Sequence, residues 1–186
     1  MVFGSQINLM INSHRNKLQK SKGLVIYEVI LILIFTGLLL LLLFPVYKKA
    51  ENKAAQKATI KDISIWARAI EDYLIDHQSA PTNPKGELSI KKQFIIDIAP
   101  YMKYLRFLDW WGNRLSIWIG RNNPKYGISF LKPTDFVIAS FGRDGIKELW
   151  KFNPASPQQG WYKVKTLKDF NKDIVLFNGK FIRCPH

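Results

Sequence analysis

The chain has 186 residues, 47% of them hydrophobic with six Trp and twelve Phe, which excludes a disordered chain and suffices for one domain of roughly 100–150 residues plus an appendage. Its 28 Lys and Arg against 14 Asp and Glu give a net charge of +14, which favours an acidic neighbour such as anionic lipid, nucleic acid or an acidic protein. One cysteine, Cys184, excludes an intramolecular disulfide, and three scattered histidines form no metal-ligand spacing.

The first predicted element is an apolar helix over residues 24–46, in which Glu28 is the only charged residue. About 20 apolar residues cross a bilayer as a helix, so this run predicts a membrane span. It exceeds the roughly 7–15 apolar residues of a cleavable secretory signal. Charge alone leaves the orientation open, because basic residues precede the run (Arg15, Lys17, Lys20, Lys22) and follow it (Lys48, Lys49, Lys53, Lys57).

An amphipathic continuation of this helix is predicted over residues 47–78, which makes one helix from Leu24 to about Asp76. Apolar residues recur at spacings of three and four, as on the buried face of a helix. The predicted buried stripe is Ile60, Ile63, Trp66, Ala67, Ile70, Tyr73 and Leu74, and the predicted polar face is Lys61, Asp62, Arg68, Glu71 and Asp72. The segment 79–86, rich in Pro and Gly, ends the helix.

Residues 79–186 predict a small α+β domain. We expect a helix over residues 88–99, with Pro100 opening a further short turn. Runs rich in β-branched and aromatic residues predict antiparallel strands at 115–119, 126–131, 136–141 and 174–177. Asn178-Gly179 then predicts a two-residue type I′ hairpin turn. The segment between Glu148 and Lys172 carries no assignable pattern.

The opening of the apolar helix carries the most specific motif of the chain. The residues from Gly23 to Glu28, GLVIYE, follow a basic leader and place an acid five residues after a glycine. An ionised group inside a membrane helix costs several kcal/mol and persists mainly where it has a partner. This arrangement resembles the prepilin-peptidase site of type IV pilins and type II secretion pseudopilins.

The resemblance implies a processing event and an assembly role. A membrane peptidase would cut between Gly23 and Leu24, remove the leader 1–23 and methylate the new amino terminus, which Glu28 of a neighbouring subunit would attract. Gly37 and Pro45 lie where pilins commonly have a glycine and a proline. Both residues weaken a helix, which implies that the segment between them loosens on filament assembly.

Three short stretches resemble the major pseudopilin in particular. They are DWWGN at 109–113, SFGRDG at 140–145 and Asp173-Ile174, and the resemblance implies calcium bound by Asp144 and Asp173. The sequence departs from that pattern, because the two aspartates are far apart and Arg143, Lys147 and Lys172 add positive charge. A turn at Asp144-Gly145 and a strand start at Asp173 are the alternative, and core packing is the expectation for Trp110, Trp111 and Trp118.

The resulting hypothesis is a non-enzymatic pilin-like subunit with an α+β fold, in which a long transmembrane-to-amphipathic helix packs on a small antiparallel sheet within residues 79–186. The resemblance implies a homo-oligomeric type II secretion pseudopilus that promotes protein export. It also implies the bacterial inner membrane as location, a periplasmic C-terminal domain, and prepilin peptidase, minor pseudopilins and an inner-membrane assembly platform as partners.

Two alternatives stay open, and a third, a solitary membrane-anchored enzyme, would need a site that the sequence does not show. The chain could be a type IV pilus or DNA-uptake pilin, or, in another class, a membrane-tethered nucleic-acid-binding module suggested by its charge. The basic residues are spread along the chain without one dense patch, which favours solvated surface over nucleic-acid binding. Phosphate-binding glycine loops, metalloprotease motifs and recognisable nucleophile signatures are absent from the sequence.

Overall fold

A computed structural model describes residues 3–81, 86–87, 92–104, 106–120, 125–129 and 131–186, with the side chains of 3–25, 86–87 and 92 excepted. The chain divides into two units, Met1–Lys48 and Lys49–His186. The layout is α+β, with a long apolar N-terminal helix and a small mixed sheet.

The first helix, α1, spans Phe3–His77 and contains Pro45. It begins well before Leu24, since residues 3–22 contain no proline and are mostly residues that tolerate a helix. Its C-terminal end agrees with the predicted one. There Gln78 adopts a left-handed conformation with φ of 51°, and its N–H donates to Leu74 O at 2.9 Å, so the helix stops at a C-terminal turn.

Within the described residues, the predicted helix at 88–99 is confirmed in part. The second helix, α2, spans Lys92–Ile98, and a 3₁₀ turn follows at Ala99–Tyr101. Pro100 lies within that turn, as predicted, because its fixed φ suits the first positions of a helical turn. The side chains and backbone of 88–91 lie outside the described residues.

Within the described residues, six strands form one sheet in the order β1-β2-β3-β5-β6-β4. Their bounds are Gly86–Glu87 (β1), Ser116–Ile119 (β2), Phe136–Ser140 (β3), Trp161–Tyr162 (β4), Ile174–Phe177 (β5) and Lys180–Pro185 (β6). The predicted strands at 115–119, 136–141 and 174–177 are therefore confirmed. The expectation of a wholly antiparallel sheet is wrong, because β4 pairs parallel to β6.

The hairpin between β5 and β6 turns at Asn178-Gly179, as predicted. Both residues have positive φ, 44° and 76°, which a type I′ turn requires. The Asn178 side chain also joins this turn to β3, since its Oδ1 accepts from Phe136 N at 2.8 Å and its Nδ2 donates to Asp135 Oδ1 at 2.9 Å. The turn thus fixes the register of β5 against β6 and supports the end of β3.

The predicted strand at 126–131 is wrong. Tyr126 and Gly127 have positive φ of 54° and 72°, and Ile128 N donates to Lys125 O at 2.9 Å. This is a tight turn, and extended backbone cannot form there. Tyr126 and Ile128 are nevertheless buried, so apolar side chains made the segment look like a strand. Phe130 lies outside the described residues.

Both faces of the sheet are covered. On one face α1 packs through the predicted stripe: Ile63, Trp66, Ala67 and Ile70 are buried, and Ile60, Tyr73 and Leu74 pack against them. On the other face a second cluster joins the 126–128 turn to the sheet, namely Trp118, Tyr126, Ile128, Val137, Ala139, Val175 and Ile182. The period-2 alternation along β2 and β3 sends successive side chains to these two cores.

Candidate functional site

The apolar part of α1 exposes its side chains. Among the described residues, one helix is long and apolar enough to cross a membrane. Large apolar residues from Ile26 to Tyr47 are mostly exposed, with Leu41 at 76%. Such a surface needs lipid or other helices around it, because water disfavours that much apolar area. The span prediction is supported at this coarse level.

Glu28 lies in this exposed run. It makes no hydrogen bond or ion pair with the part of the chain whose side chains are described. Gly23 and Leu24 belong to the backbone of α1. The cleavage and pairing roles of these residues stay predictions.

The two predicted weak points of the helix lie inside it. Pro45 occurs within α1 and removes one backbone donor. A Cβ added at Gly37 would meet no heavy atom within 4 Å beyond the local helix backbone. No described atom of this chain therefore requires glycine at position 37, and its helix-weakening role stays a prediction.

Asp109 organises the turn at 109–113. Its carboxylate is fully buried; Oδ1 accepts from Trp111 N at 3.0 Å and Asn113 N at 2.8 Å, and Oδ2 accepts from Ser140 Oγ at 2.7 Å. Burial raises the pKa of this carboxyl, and the hydrogen bond from Ser140 opposes the rise. One aspartate thus shapes its own turn and joins it to the end of β3.

A second set of bonds interlocks the 109–113 turn with the 140–145 loop. Asn113 Nδ2 donates to Gly142 O at 2.7 Å and to Arg143 O at 3.4 Å. Gly142 has φ of 69°, and a Cβ there would lie 2.7 Å from the Asn171 carbonyl. A side chain at Gly142 would clash with backbone, so the close approach requires glycine.

The tryptophans of the turn anchor it to α1. Trp111 Nε1 donates to Asn52 Oδ1 at 2.9 Å, and Trp110 Nε1 donates to Asp62 Oδ2 at 2.8 Å. Trp118 is core, as expected, but Trp110 is 47% exposed, so core packing is the wrong prediction for it. Trp110 instead carries the Arg106 guanidinium 4.0 Å from its ring centre.

The prediction that Asp62 lies on the polar, solvated face of α1 is wrong. Asp62 is buried rather than solvated, because it accepts from Trp110 and lies 3.8 Å from Arg106 Nε. Three more polar residues of α1 are buried, namely Asn52, Gln56 and Thr59. Their spacing of four and three residues continues the buried stripe that includes Ile63. This spacing is the sequence signal that could have predicted their burial.

Asp144 and Asp173 have different partners. Asp144 is exposed and accepts from Ile146 N at 3.1 Å within its own turn. Asp173 is fully buried, and its Oδ2 accepts from Tyr126 Oη at 2.7 Å and from Glu148 N at 3.1 Å. Burial raises the pKa of the Asp173 carboxyl to about 6.

The residues around Asp173 already include a cation, Arg183. Glu148 Oε2 accepts from Asp173 N at 3.0 Å and pairs with Arg183 through Nη2 at 2.6 Å and Nε at 2.7 Å. No local sequence pattern predicts this pair, because its members lie 35 residues apart along the chain.

Calcium takes six to eight oxygen ligands, so the fit of these residues to the ion can be judged from their contacts. Asp173 Oδ1 is buried without a hydrogen-bond partner, which leaves one carboxylate oxygen available. Asp144 is engaged in its own turn, and the described residues contain no group of three or more His, Cys, Asp or Glu placed to hold a metal. The fit is therefore partial, and calcium stays a prediction.

Comparison with known protein families, curated proteins and solved structures finds no match to this chain.

Proposed function

We propose that this chain is a non-enzymatic, membrane-anchored filament subunit of the pseudopilin type, which acts in a type II secretion pseudopilus. A type IV pilus or DNA-uptake pilin is the alternative within the same class. The proposal rests on one combination: a glycine-acid pair at residues 23 and 28 opens an exposed apolar helix, and the later part of α1 packs on a sheet.

The partnerless acid supports assembly over simple anchoring. Glu28 occupies an apolar run where a charge is costly, yet it has no partner among the described residues. A plain anchor gains nothing from such a group. The proposed partner is the amino terminus that cleavage after Gly23 would create on a neighbouring subunit. Pairing these groups would offset the cost of both charges and set the axial register between subunits.

The exposed apolar surface supports the same function. Helices with apolar side chains on all sides can leave the bilayer only when other helices replace the lipid. In the proposed filament the apolar segments form the central bundle, and the α+β units form the outer surface. Growth from the bacterial inner membrane would then push substrate outward, with prepilin peptidase, minor pseudopilins and an assembly platform as partners.

Processing tests the proposal directly. In cells that contain a prepilin peptidase, the mature chain should begin at Leu24, with or without an N-terminal methyl group. Mass spectrometry of membrane-extracted protein measures this terminus. Gly23→Val places a branched side chain at the cleavage position and should leave the leader attached. Recovery of assembled wild-type protein that retains residues 1–23 would refute the processing step.

A further inference from the structure

A basic cleft lies wholly within the unit Lys49–His186. It has a volume of about 610 Å³, which is in the range of small-ligand sites. One wall is the first stretch of α1 in this unit, and the other comes from residues that follow β4 and end β6. The proposed filament function does not use this cleft.

The walls of the cleft carry four lysines. Lys49, Lys53 and Lys57 recur four residues apart on α1, and Lys163 faces them from the opposite wall. None of the described residues that line the cleft has an acidic side chain. Among the described residues, Lys53, Lys57 and Lys163 have no hydrogen bond or ion pair. Like charges four residues apart destabilise a helix slightly. A concave surface that carries several cations raises the local concentration of anions.

Besides these lysines, two polar residues, Gln56 and His186, and four apolar residues line the cleft. The apolar residues are Ile60, Val164, Phe170 and Pro185, of which Ile60, Val164 and Pro185 are partly exposed and Phe170 is fully buried. A free inorganic anion would use the lysines alone. A ligand with an anionic head and an attached hydrocarbon part would use both kinds of surface, so the lining favours an amphiphile.

The cleft is built by specific bonds between its walls. Lys49 Nζ donates to Lys165 O at 3.1 Å, and Gln56 Nε2 donates to Tyr162 Oη at 3.4 Å. His186 N donates to Tyr162 O at 2.8 Å. The first two contacts join α1 to residues 162–165 and the third joins residue 162 to residue 186, so the two walls are held in place before any ligand binds.

The position of the cleft along the chain identifies the source of the anion. Lys49 comes two residues after Tyr47, which ends the exposed apolar run. Lysines directly after a membrane span lie at the level of the lipid headgroups, where anionic lipids attract them. A phosphate-bearing headgroup is the anion present at that level.

We propose that this cleft binds the phosphate headgroup of an anionic phospholipid in the membrane that anchors α1. The inference depends on the membrane-anchoring part of the proposed function and not on processing or filament assembly. Phosphate is the shared chemistry of a lipid headgroup and free phosphate, and the apolar lining commits the site to the lipid.

Lipid binding to the unassembled full chain tests this inference. The purified protein in neutral detergent is titrated with phosphatidylglycerol, phosphatidylcholine and inorganic phosphate, and bound lipid is counted by native mass spectrometry. We expect one phosphatidylglycerol to bind in preference to phosphatidylcholine. Lys53→Gln combined with Lys163→Gln should weaken this binding about tenfold or more, because each lysine contributes on the order of a factor of five to anionic-lipid attraction.

The matched control removes the same charge elsewhere. Lys61→Gln combined with Lys180→Gln changes two exposed lysines that do not line the cleft, and phosphatidylglycerol binding should stay within about twofold of wild type, a change of under about 0.5 kcal/mol. Equal weakening in both double variants, or equal binding of the two lipids, would overturn the proposal. Inorganic phosphate that displaces phosphatidylglycerol at equal concentration would assign the cleft to free anions instead. Salt-dependent binding of an oligonucleotide that is lost in the Lys53/Lys163 variant and displaced by no lipid would assign it to nucleic acid.

A negative result in the lipid titration can be distinguished from a failure of the proposed filament function. A chain that is cut before Leu24 but shows no lipid preference would refute the cleft and keep the filament proposal.

Discussion

Burial disfavours the ionised form of the Asp173 carboxyl group. The Asp173 side chain is fully buried, and Oδ1 has no hydrogen-bond partner. Burial raises its pKa to about 6, against hydrogen bonds from Tyr126 and Glu148 that favour the charged form. The folded state therefore binds a proton more tightly than the unfolded state between about pH 4 and pH 6.

Because the pKa of Asp173 is higher in the folded state, the stability of the fold rises as the pH falls. Protonation of Asp173 adds stability that is absent well above pH 6 and grows as the pH falls toward about pH 4. Between about pH 7.5 and about pH 5 its contribution to the free energy of unfolding should increase by about 1 kcal/mol. Asp173→Asn keeps an acceptor for Tyr126 and removes the titration, so this increase should disappear. Urea unfolding of the fragment 49–186 at both pH values measures it.

Asp169 provides the control for this experiment. The hydrogen bond from Lys172 lowers the pKa of the Asp169 carboxyl, so it titrates below the tested range. Asp169→Asn should reduce stability by a similar amount at both pH values. If Asp173→Asn retains the pH dependence of the wild type, another group is responsible for it.

At the scale of elements, α1 changes its surroundings along its length. Its apolar segment exposes large side chains, whereas the stripe that begins at Asn52 is buried against the domain. The first part of this stripe is polar because the indoles of Trp110 and Trp111 bring N–H groups to it. Buried polar groups of this kind need partners, and the turn at 109–113 supplies them.

Glu28 tests the assembly role of the apolar segment. Glu28→Ala removes the proposed partner of the neighbouring amino terminus and makes the helix more apolar, so insertion and cleavage should persist. The yield of sheared filaments should fall at least about tenfold, since loss of one membrane-embedded ion pair costs more than about 1.4 kcal/mol per contact. Immunoblots of sheared and membrane fractions measure both quantities.

Asp72 is the matched control on the same helix. Asp72→Ala removes one exposed carboxylate outside the apolar run and should leave the filament yield unchanged. Filaments of Glu28→Ala at the wild-type level would show that Glu28 only extends toward the headgroups, as in an ordinary membrane anchor.

At the scale of the whole molecule, calcium binding would appear as stability of the α+β unit. A ligand that binds only the native state raises its stability. The resemblance to the major pseudopilin predicts that about millimolar calcium raises the Tm of the fragment 49–186 and that excess chelator reverses the rise. Differential scanning calorimetry measures the shift.

Two variants separate a bound ion from a general salt effect. Asp144→Asn and Asp173→Asn each remove a predicted ligand and should abolish the calcium shift, while the same concentration of magnesium should not replace calcium. An unchanged wild-type Tm would mean that calcium does not bind. Asp144 would then serve its turn alone, and Arg183, which also pairs with Glu148, would be the cation that favours the ionised form of Asp173.

The sequence by itself determined the features that depend on neighbours along the chain. The periodicity of Ile63, Trp66 and Ile70 placed the buried face of α1, since side chains three and four apart share one face. Asn178-Gly179 located the hairpin, because few residue pairs accept two positive φ values. The apolar run after Gly23 likewise predicted a possible span from composition alone.

Only the tertiary structure decided the features that join distant residues. Asn52 meets Trp111 and Glu148 meets Arg183 across the fold, and no local pattern reports such pairings. Tyr126-Gly127 became a turn although its apolar residues suggested a strand, because burial selects for apolar side chains in either conformation. Chain folding, and not sequence spacing, sets the distance between residues that lie far apart along the chain. It therefore gives Asp144 and Asp173 separate partners and brings Lys53 and Lys163 into one cleft.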